Sequence, residues 1–258
     1  MAAEAIEDGP ITVNRLTADP TGRWLSAAWA DIGRSPAASL APGLLSAFAS
    51  YVLAVLVFLD GRYAAMLPLL GGFMFVAPLI AVGLYEISRR HETGEPVNIL
   101  MALDAFRRNP TQIALMALLL MLFLLAWVRL ALLVFALFFG LNPPPLAGFF
   151  TAVLFDAGNL PFLIISNAVG AALAGFVFMI SAISLPMLVD RETDVVTAII
   201  TSWKACTTNP RVMAGWAALI VLITALGIVT FFLGLIVALP LIGHATWHAY
   251  RDLVPARA

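Results

Sequence analysis

A chain of 258 residues that is 62% hydrophobic and 11% charged, with a mean hydropathy of +0.99, lies far outside the soluble globular range, where about a quarter of residues are charged. Its net charge of −1, with arginines interspersed among Asp and Glu, excludes the concentrated basic footprint of a nucleic-acid binder. The composition is that of an integral membrane protein, and the single cysteine, Cys206, excludes an internal disulfide.

The chain begins with Glu4, Glu7 and Asp8 and has no basic stretch leading into an apolar one, so no cleaved signal peptide is expected and residues 1–20 read as a cytoplasmic segment. Leu25, Ala28, Trp29 and Ile32 follow at i, i+3, i+4 and i+7, the spacing of one helix face, and Ser35-Pro36 closes the pattern. Apolar runs Ala37 to Leu59 and Ala64 to Ile87 are each long enough to cross a bilayer as a helix of about 20 residues. The same surface pattern returns as Ile99, Ala102, Leu103 and Phe106 before Asn109-Pro110, and again as Ile199, Ser202, Trp203 and Cys206 before Asn209-Pro210. Further apolar runs cover Thr111 to about Val128, Phe162 to Val189, Val212 to about Thr230 and Leu233 to Tyr250. The turn between the last two falls near Gly227 to Gly234.

The expected fold class is therefore an all-α membrane protein with six transmembrane helices, in three repeats of an amphipathic interfacial helix plus a transmembrane hairpin. The units cover about 21–90, 91–190 and 191–252 of a single membrane domain, 21–258. Each Ser-Pro or Asn-Pro pair reads as an N-cap followed by proline at the first helical position, an elbow marked by Pro36, Pro110 and Pro210. Trp29 and Trp203 suit the headgroup boundary, and Arg107 and Arg108 suit lipid phosphates. The last two copies are 100 residues apart and the first two 74, so the second unit carries about 26 extra residues, roughly 129–159. That insertion holds Asn142, Pro143 to Pro145 and an apolar patch from Leu146 to Phe155, and reads as a re-entrant or interfacial element, either a docking lid or a hydrophobic cap.

Placing both termini inside puts twelve of the fourteen basic residues on the cytoplasmic side and leaves only Arg62 and Arg129 elsewhere. Both termini are therefore expected to face the cytoplasm. Pro78, Pro186 and Pro240 each fall in the second helix of a unit, where a freed carbonyl permits a kink; three kinked inner helices around a pseudo-threefold axis is the expected packing.

His244 and His248, at i and i+4, are spaced to face one point, a metal-site spacing, while Glu86 and Asp190 occupy positions equivalent to them after the shared proline. Ionisable groups so near the bilayer core are functional candidates, and the competing reading is that all four anchor hydrated helix ends. Arg129 either snorkels to outer headgroups or serves a gate, with Asp156 its candidate counter-ion. Gly170, Ala174, Gly175 and Ser181 point to close helix approach. His91 falls in a loop. No phosphate-cradling glycine loop, paired-cysteine haem attachment, HExxH or serine elbow is present, so no catalytic residue is nominated.

The closing run from Gly243 to Arg251, with Trp29 and the Asn-Pro elements, resembles a bacterial family of six-span integral membrane proteins catalogued as a domain of unknown function. Some relatives carry the label cytochrome c oxidase subunit I. That label implies about twelve spans and six histidine ligands, against six spans and three histidines here. The resemblance implies topology and a bacterial inner-membrane location, and no activity.

Three functions follow as expectations. The first is a non-enzymatic accessory or scaffold protein whose partners are the lipid bilayer and a larger membrane complex or further copies of the chain. The second is a small transporter with a cytoplasmic vestibule lined by Glu86, Asp190, His244 and His248. The third is a metal- or haem-binding protein using His244 and His248; no cofactor is predicted otherwise.

Overall fold

The computed structural model describes residues 11–61, 66–140 and 156–255. Helices follow in the order α1 Thr21–Arg34, α2 Pro36–Leu59, α3 Met66–Ile80, α4 Val82–Thr93, α5 Ala105–Arg108, α6 Pro110–Phe139, α7 Leu160–Ser181, α8 Ser184–Asp190, α9 Val195–Thr208, α10 Pro210–Val229 and α11 Leu235–Leu253. Among the described residues there is no strand. Five helical stretches are long and apolar enough to cross a membrane: Pro36–Leu59, Gly71–Thr93, Pro110–Phe139, Ala157–Asp190 and Pro210–Val229. The expected sixth, α11, is not among them; it carries His244, His248, Arg251 and Asp252, and twelve of its nineteen residues are buried. Buried polar residues lower the hydropathy of a helix that other protein surrounds.

That burial sorts the helices. In α4 every residue from Val82 to Arg89 is buried, and in α8 every residue from Ser184 to Val189, whereas α2 and α6 bury five of 24 and four of 30. So α4, α8 and α11 are interior and α2, α6 and α10 carry the outward apolar surface, including Leu44, Phe48, Leu118 and Leu226. The α2–α11 crossing is close because Gly43 has no side chain: a Cβ there would lie 2.4 Å from the carbonyl oxygen of Ile236. Gly43→Ala must push backbone from backbone. It is expected to lower folding stability by about 1 to 3 kcal/mol, read as a lower melting temperature in detergent; an unchanged melting temperature contradicts the crossing.

The three elbows share one backbone shape. Ser35, Asn109 and Asn209 have φ, ψ of −142°, 69°, then −144°, 65°, then −124°, 53°, each followed by proline at the first position of α2, α6 or α10. None of the three side chains caps the helix it precedes, contrary to the N-cap expectation. Each reaches across the fold instead. Ser35 Oγ lies 3.0 Å from His91 Nε2, and Asn109 Nδ2 donates to the Thr193 carbonyl at 2.7 Å. Asn209 accepts from the Leu16 amide at 2.8 Å and donates to the Asn14 carbonyl at 3.0 Å. Asn14 in turn donates its amide to the Leu253 carbonyl, 2.8 Å, so the described ends of the chain meet at the elbow end of the bundle.

The surface helices differ from expectation in two respects. The second copy is a 3₁₀ segment, Leu100–Asp104, running into the single turn α5. And the apolar stripe is divided: the small residues at i+3, Ala28, Ala102 and Ser202, are buried, while Trp29 (59% exposed), Leu103 (61%) and Trp203 (42%) at i+4 face outward. Ser202 explains the small residue. Its Oγ accepts the Ile183 amide at 3.1 Å, at the break between α7 and α8 that Pro186 forces by lacking the amide for the Ala182 carbonyl. His91, expected in a loop, sits in the last turn of α4, which Gly94 ends in a left-handed conformation at φ 70°.

The helix after Pro110 runs eleven residues past Val128, so Arg129 lies mid-helix, about 28 Å from Pro110 at 1.5 Å per residue. The rest of the predicted insertion, Asn142, Pro143 to Pro145 and Leu146 to Phe155, lies outside the described residues, as do Arg62, Arg257, Glu4, Glu7 and Asp8. Of the small residues of α7, Gly170 receives a side chain rather than a helix backbone, a Cβ there lying 2.9 Å from the Trp127 ring, whose Nε1 donates to the Pro68 carbonyl at 2.7 Å, while Gly175 faces open space. The α10–α11 turn is Thr230 to Gly234, with Phe231 and Phe232 at φ 54° and 68°.

Candidate functional site

The polar face of α1 turns inward at Asp31, which is 2% exposed and at the centre of a network drawn from four helices. Its carboxylate accepts Ser88 Oγ at 2.8 Å and His248 Nε2 at 2.9 Å on one oxygen, and His91 Nδ1 at 3.1 Å on the other. Arg34 Nη1 adds a longer contact of 3.4 Å. Because Ser88 gives its only proton to Asp31, the 2.7 Å contact between Ser88 Oγ and His244 Nδ1 requires the imidazole to donate. His244 Nε2 lies 3.1 Å from Ser39 Oγ, which ties α11 to α2. All three histidines of the chain thus gather about one carboxylate. Burial opposes ionisation of Asp31 most strongly, but hydrogen bonds from His248 and Ser88 and the charges of His244 and His248 outweigh it and hold its carboxyl down at about 2.

Glu86 belongs to a second network. Fully buried, it accepts five hydrogen bonds of 2.7 to 3.0 Å: two from Arg89, one from Arg90 and two from Arg108. Arg89 also forks onto Glu95 with two contacts of 2.9 Å, and Arg90 reaches Asp104 at 3.1 Å. Three guanidinium groups therefore face three carboxylates, and Arg108, expected at lipid phosphates, is spent inside this cluster. Arg107 remains exposed, with Asp104 at 3.9 Å.

Asp190 belongs to a third. It accepts the Tyr250 hydroxyl at 2.5 Å and Arg251 Nη1 at 3.3 Å, while Arg251 Nε contacts Glu92 at 3.0 Å. Trp247 Nε1 donates to the same Glu92 at 2.9 Å, and the Arg251 guanidinium lies 5.8 Å over the Trp247 ring. His244 and His248 are brought together, as their spacing suggested, but Glu86 and Asp190 join neither them nor each other. The residues that sequence reasoning missed are Asp31, Ser39, Ser88 and His91. Asp31 reads as the solvent face of an amphipathic helix, and its partners lie 57 to 217 positions away.

Among the described residues no group of three or more His, Cys, Asp or Glu is disposed to hold a metal ion. The imidazole nitrogens are aimed at oxygens of Asp31 and at serine hydroxyls rather than at a shared vacant point. Asp156 accepts the Gly158 amide at 2.9 Å and makes no ion pair with the exposed Arg129 among the described residues. Cys206 is 6% exposed and burial pushes its thiol up to about 12, which leaves it protonated and unreactive at neutral pH.

Residues 66–190 match the model of a family described as a predicted integral membrane protein (DUF2189), a stretch running from α3 to the end of α8. The match bears out the resemblance to an integral membrane family of unknown function. No curated protein and no solved structure matches the chain.

Proposed function

We propose that this integral membrane protein is a non-enzymatic accessory or scaffold protein of a bacterial inner membrane. It crosses six times in three units, with residues 1–20 and both termini cytoplasmic, and packs against lipid and a larger membrane complex or further copies of itself. The observation that carries this reading is that the ionisable groups at the elbow end are spent on one another. Asp31, Glu86 and Asp190 each close a network, and among the described residues three cavities of the bundle have none of them, nor His244 or His248, in their walls. A closed polar layer holds helices together; it offers no open nucleophile, base or ion path.

Several features support the topology. The three elbows have near-identical backbone angles, α11 at nineteen residues spans about 28 Å, and residue 14 is bonded to residue 253. Arg34, Arg89, Arg90, Arg107, Arg108, Arg191, Lys204, Arg211 and Arg251 gather at the elbow end, the side the positive-inside rule assigns to the cytoplasm. Outward Trp29 and Trp203 there suit the inner headgroup boundary. The transporter reading finds less support, because its four residues sit in three separate networks, and a metal or haem at His244 and His248 would have to displace Asp31.

Single cysteines placed in a Cys206→Ser background test the topology. Positions 19, 94 and 192 are expected to react with an impermeant maleimide only in inside-out vesicles, and position 230 only in right-side-out ones. Position 230 labelling from the same side as 94 overturns six crossings. For the function, purification from native membranes is expected to yield a stoichiometric protein partner or an oligomer of this chain. A lone monomer that conducts solute in liposomes, with flux lost in His244→Ala, overturns the scaffold reading.

A further inference from the structure

Beneath the polar layer the bundle encloses a cavity of about 90 Å³ whose walls are not uniformly apolar. Trp216, Tyr85, Ser181, Thr224 and Thr246 all line it, contributed by α10, α4, α7 and α11. Trp216 is fully buried and its Nε1 has no hydrogen-bond partner. Among the described residues no hydrogen bond engages the hydroxyls of Tyr85, Ser181, Thr224 or Thr246. This sets them apart from Ser46, Ser166 and Thr201, which donate to the carbonyl four residues earlier. Polar groups left unpaired in a membrane interior are costly, so five around one cavity indicate an occupant that pairs them.

Three properties define that occupant. No ionisable acid, lysine, arginine or histidine lines the cavity, so its polar part is uncharged. Trp216 only donates and the hydroxyls donate readily, so its polar part accepts, as a carbonyl oxygen does. Its route is the bilayer: the Asp31 and Glu86 networks close the elbow end, whereas the cavity shares Phe73 and Leu235 with an apolar groove of about 650 Å³ between α2, α3 and the α10–α11 turn. We propose that the bundle binds a membrane-soluble molecule with a neutral, hydrogen-bond-accepting head, held by Trp216, Tyr85, Ser181 and Thr246, and a hydrocarbon tail lying in the groove along α2 and α3.

The test uses the purified full chain in lipid nanodiscs with a ten-carbon methyl ketone that carries a diazirine at the tail end. Photolysis is expected to label groove residues such as Leu53, Val76 and Phe73. The double variant Tyr85→Phe, Thr246→Val removes two hydroxyls at nearly constant volume and is expected to reduce labelling about tenfold, with its melting temperature showing that it folds. Trp216→Phe, checked in the same way, is expected to do likewise, and a probe ending in a carboxylate is expected to label weakly. Labelling that is indifferent to all three substitutions, or equal for ketone and carboxylate, overturns the proposal. So does protection by acetone as strong as by the unlabelled ten-carbon ketone, which would assign the cavity to a water-borne solute. None of these outcomes depends on whether the protein serves as a scaffold.

Discussion

Glu86→Gln is expected to destabilise the protein by about 3 to 5 kcal/mol, enough to remove most of the folded material from detergent extracts. The size follows from what the substitution leaves behind. Glu86 is fully buried and receives hydrogen bonds from Arg89, Arg90 and Arg108, and the side chains of Arg89 and Arg90 are only 10% and 11% exposed. Arginine does not shed its proton at any accessible pH, so the cations stay charged in a site that has lost its central anion. An amide also points its own N–H groups at guanidinium donors. Glu95→Gln is the internal control. It breaks a bidentate contact to the same Arg89, but the Glu95 side chain is 39% exposed against none for Glu86, and its loss is expected to move the melting temperature little. A Glu86→Gln protein that melts with the native one contradicts the assignment of this carboxylate as the anchor of α4 to α5.

Asp31→Asn is expected to cost less, about 2 to 3 kcal/mol, although Asp31 is almost as deeply buried. Here the partners are a serine and imidazoles, groups that have a neutral form, rather than guanidiniums that stay charged without their anion. The substitution also has a pH signature. The Asp31 carboxyl is held at about 2 against an ordinary value of 3.8, so between these values the native state binds fewer protons than the unfolded chain. Its stabilisation is complete above about pH 4 and is lost as the pH falls toward about 2. Melting temperatures of native and Asp31→Asn protein are therefore expected to converge on acidification through that window. A constant difference from pH 6 to pH 2 contradicts the ionised clasp. Because Asp31 ties α1 to α4 and α11, the variant is expected to free the surface helix first, read as faster amide exchange in residues 21–34 than in α8.

Much of the architecture was legible because it is written in short-range terms. Period 3.6 in Leu25, Ala28, Trp29 and Ile32, and its return before Asn109-Pro110 and Asn209-Pro210, located the surface segments and elbows to within a residue or two. Apolar length located five helices that are long and apolar enough to cross a membrane, and α11, expected as a sixth, is not among them. Where local rules were pushed further they failed for identifiable reasons. Ser35, Asn109 and Asn209 have the sequence of N-caps, yet tertiary partners outcompete the first-turn amides for their side chains. Arg108 has the sequence of a lipid anchor, yet a buried carboxylate 22 positions earlier is the stronger ligand.

By itself the sequence determined that this chain is helical, belongs in a membrane and turns at proline, because composition, periodicity and proline geometry act over a few residues and need no partner. Only the tertiary structure decided which polar groups meet. No local pattern singled out Asp31, and Glu86, Asp190, His244 and His248 looked like one site, but packing of α1 against α4 and α11 gave Asp31 to the histidines and packing of α5 against α4 gave Glu86 to the arginines. Close packing also left Trp216 and its neighbouring hydroxyls around a space of their own. Pairings between residues 57 to 217 positions apart leave no mark on local pattern, since any polar residue at an inward position would satisfy the same periodicity.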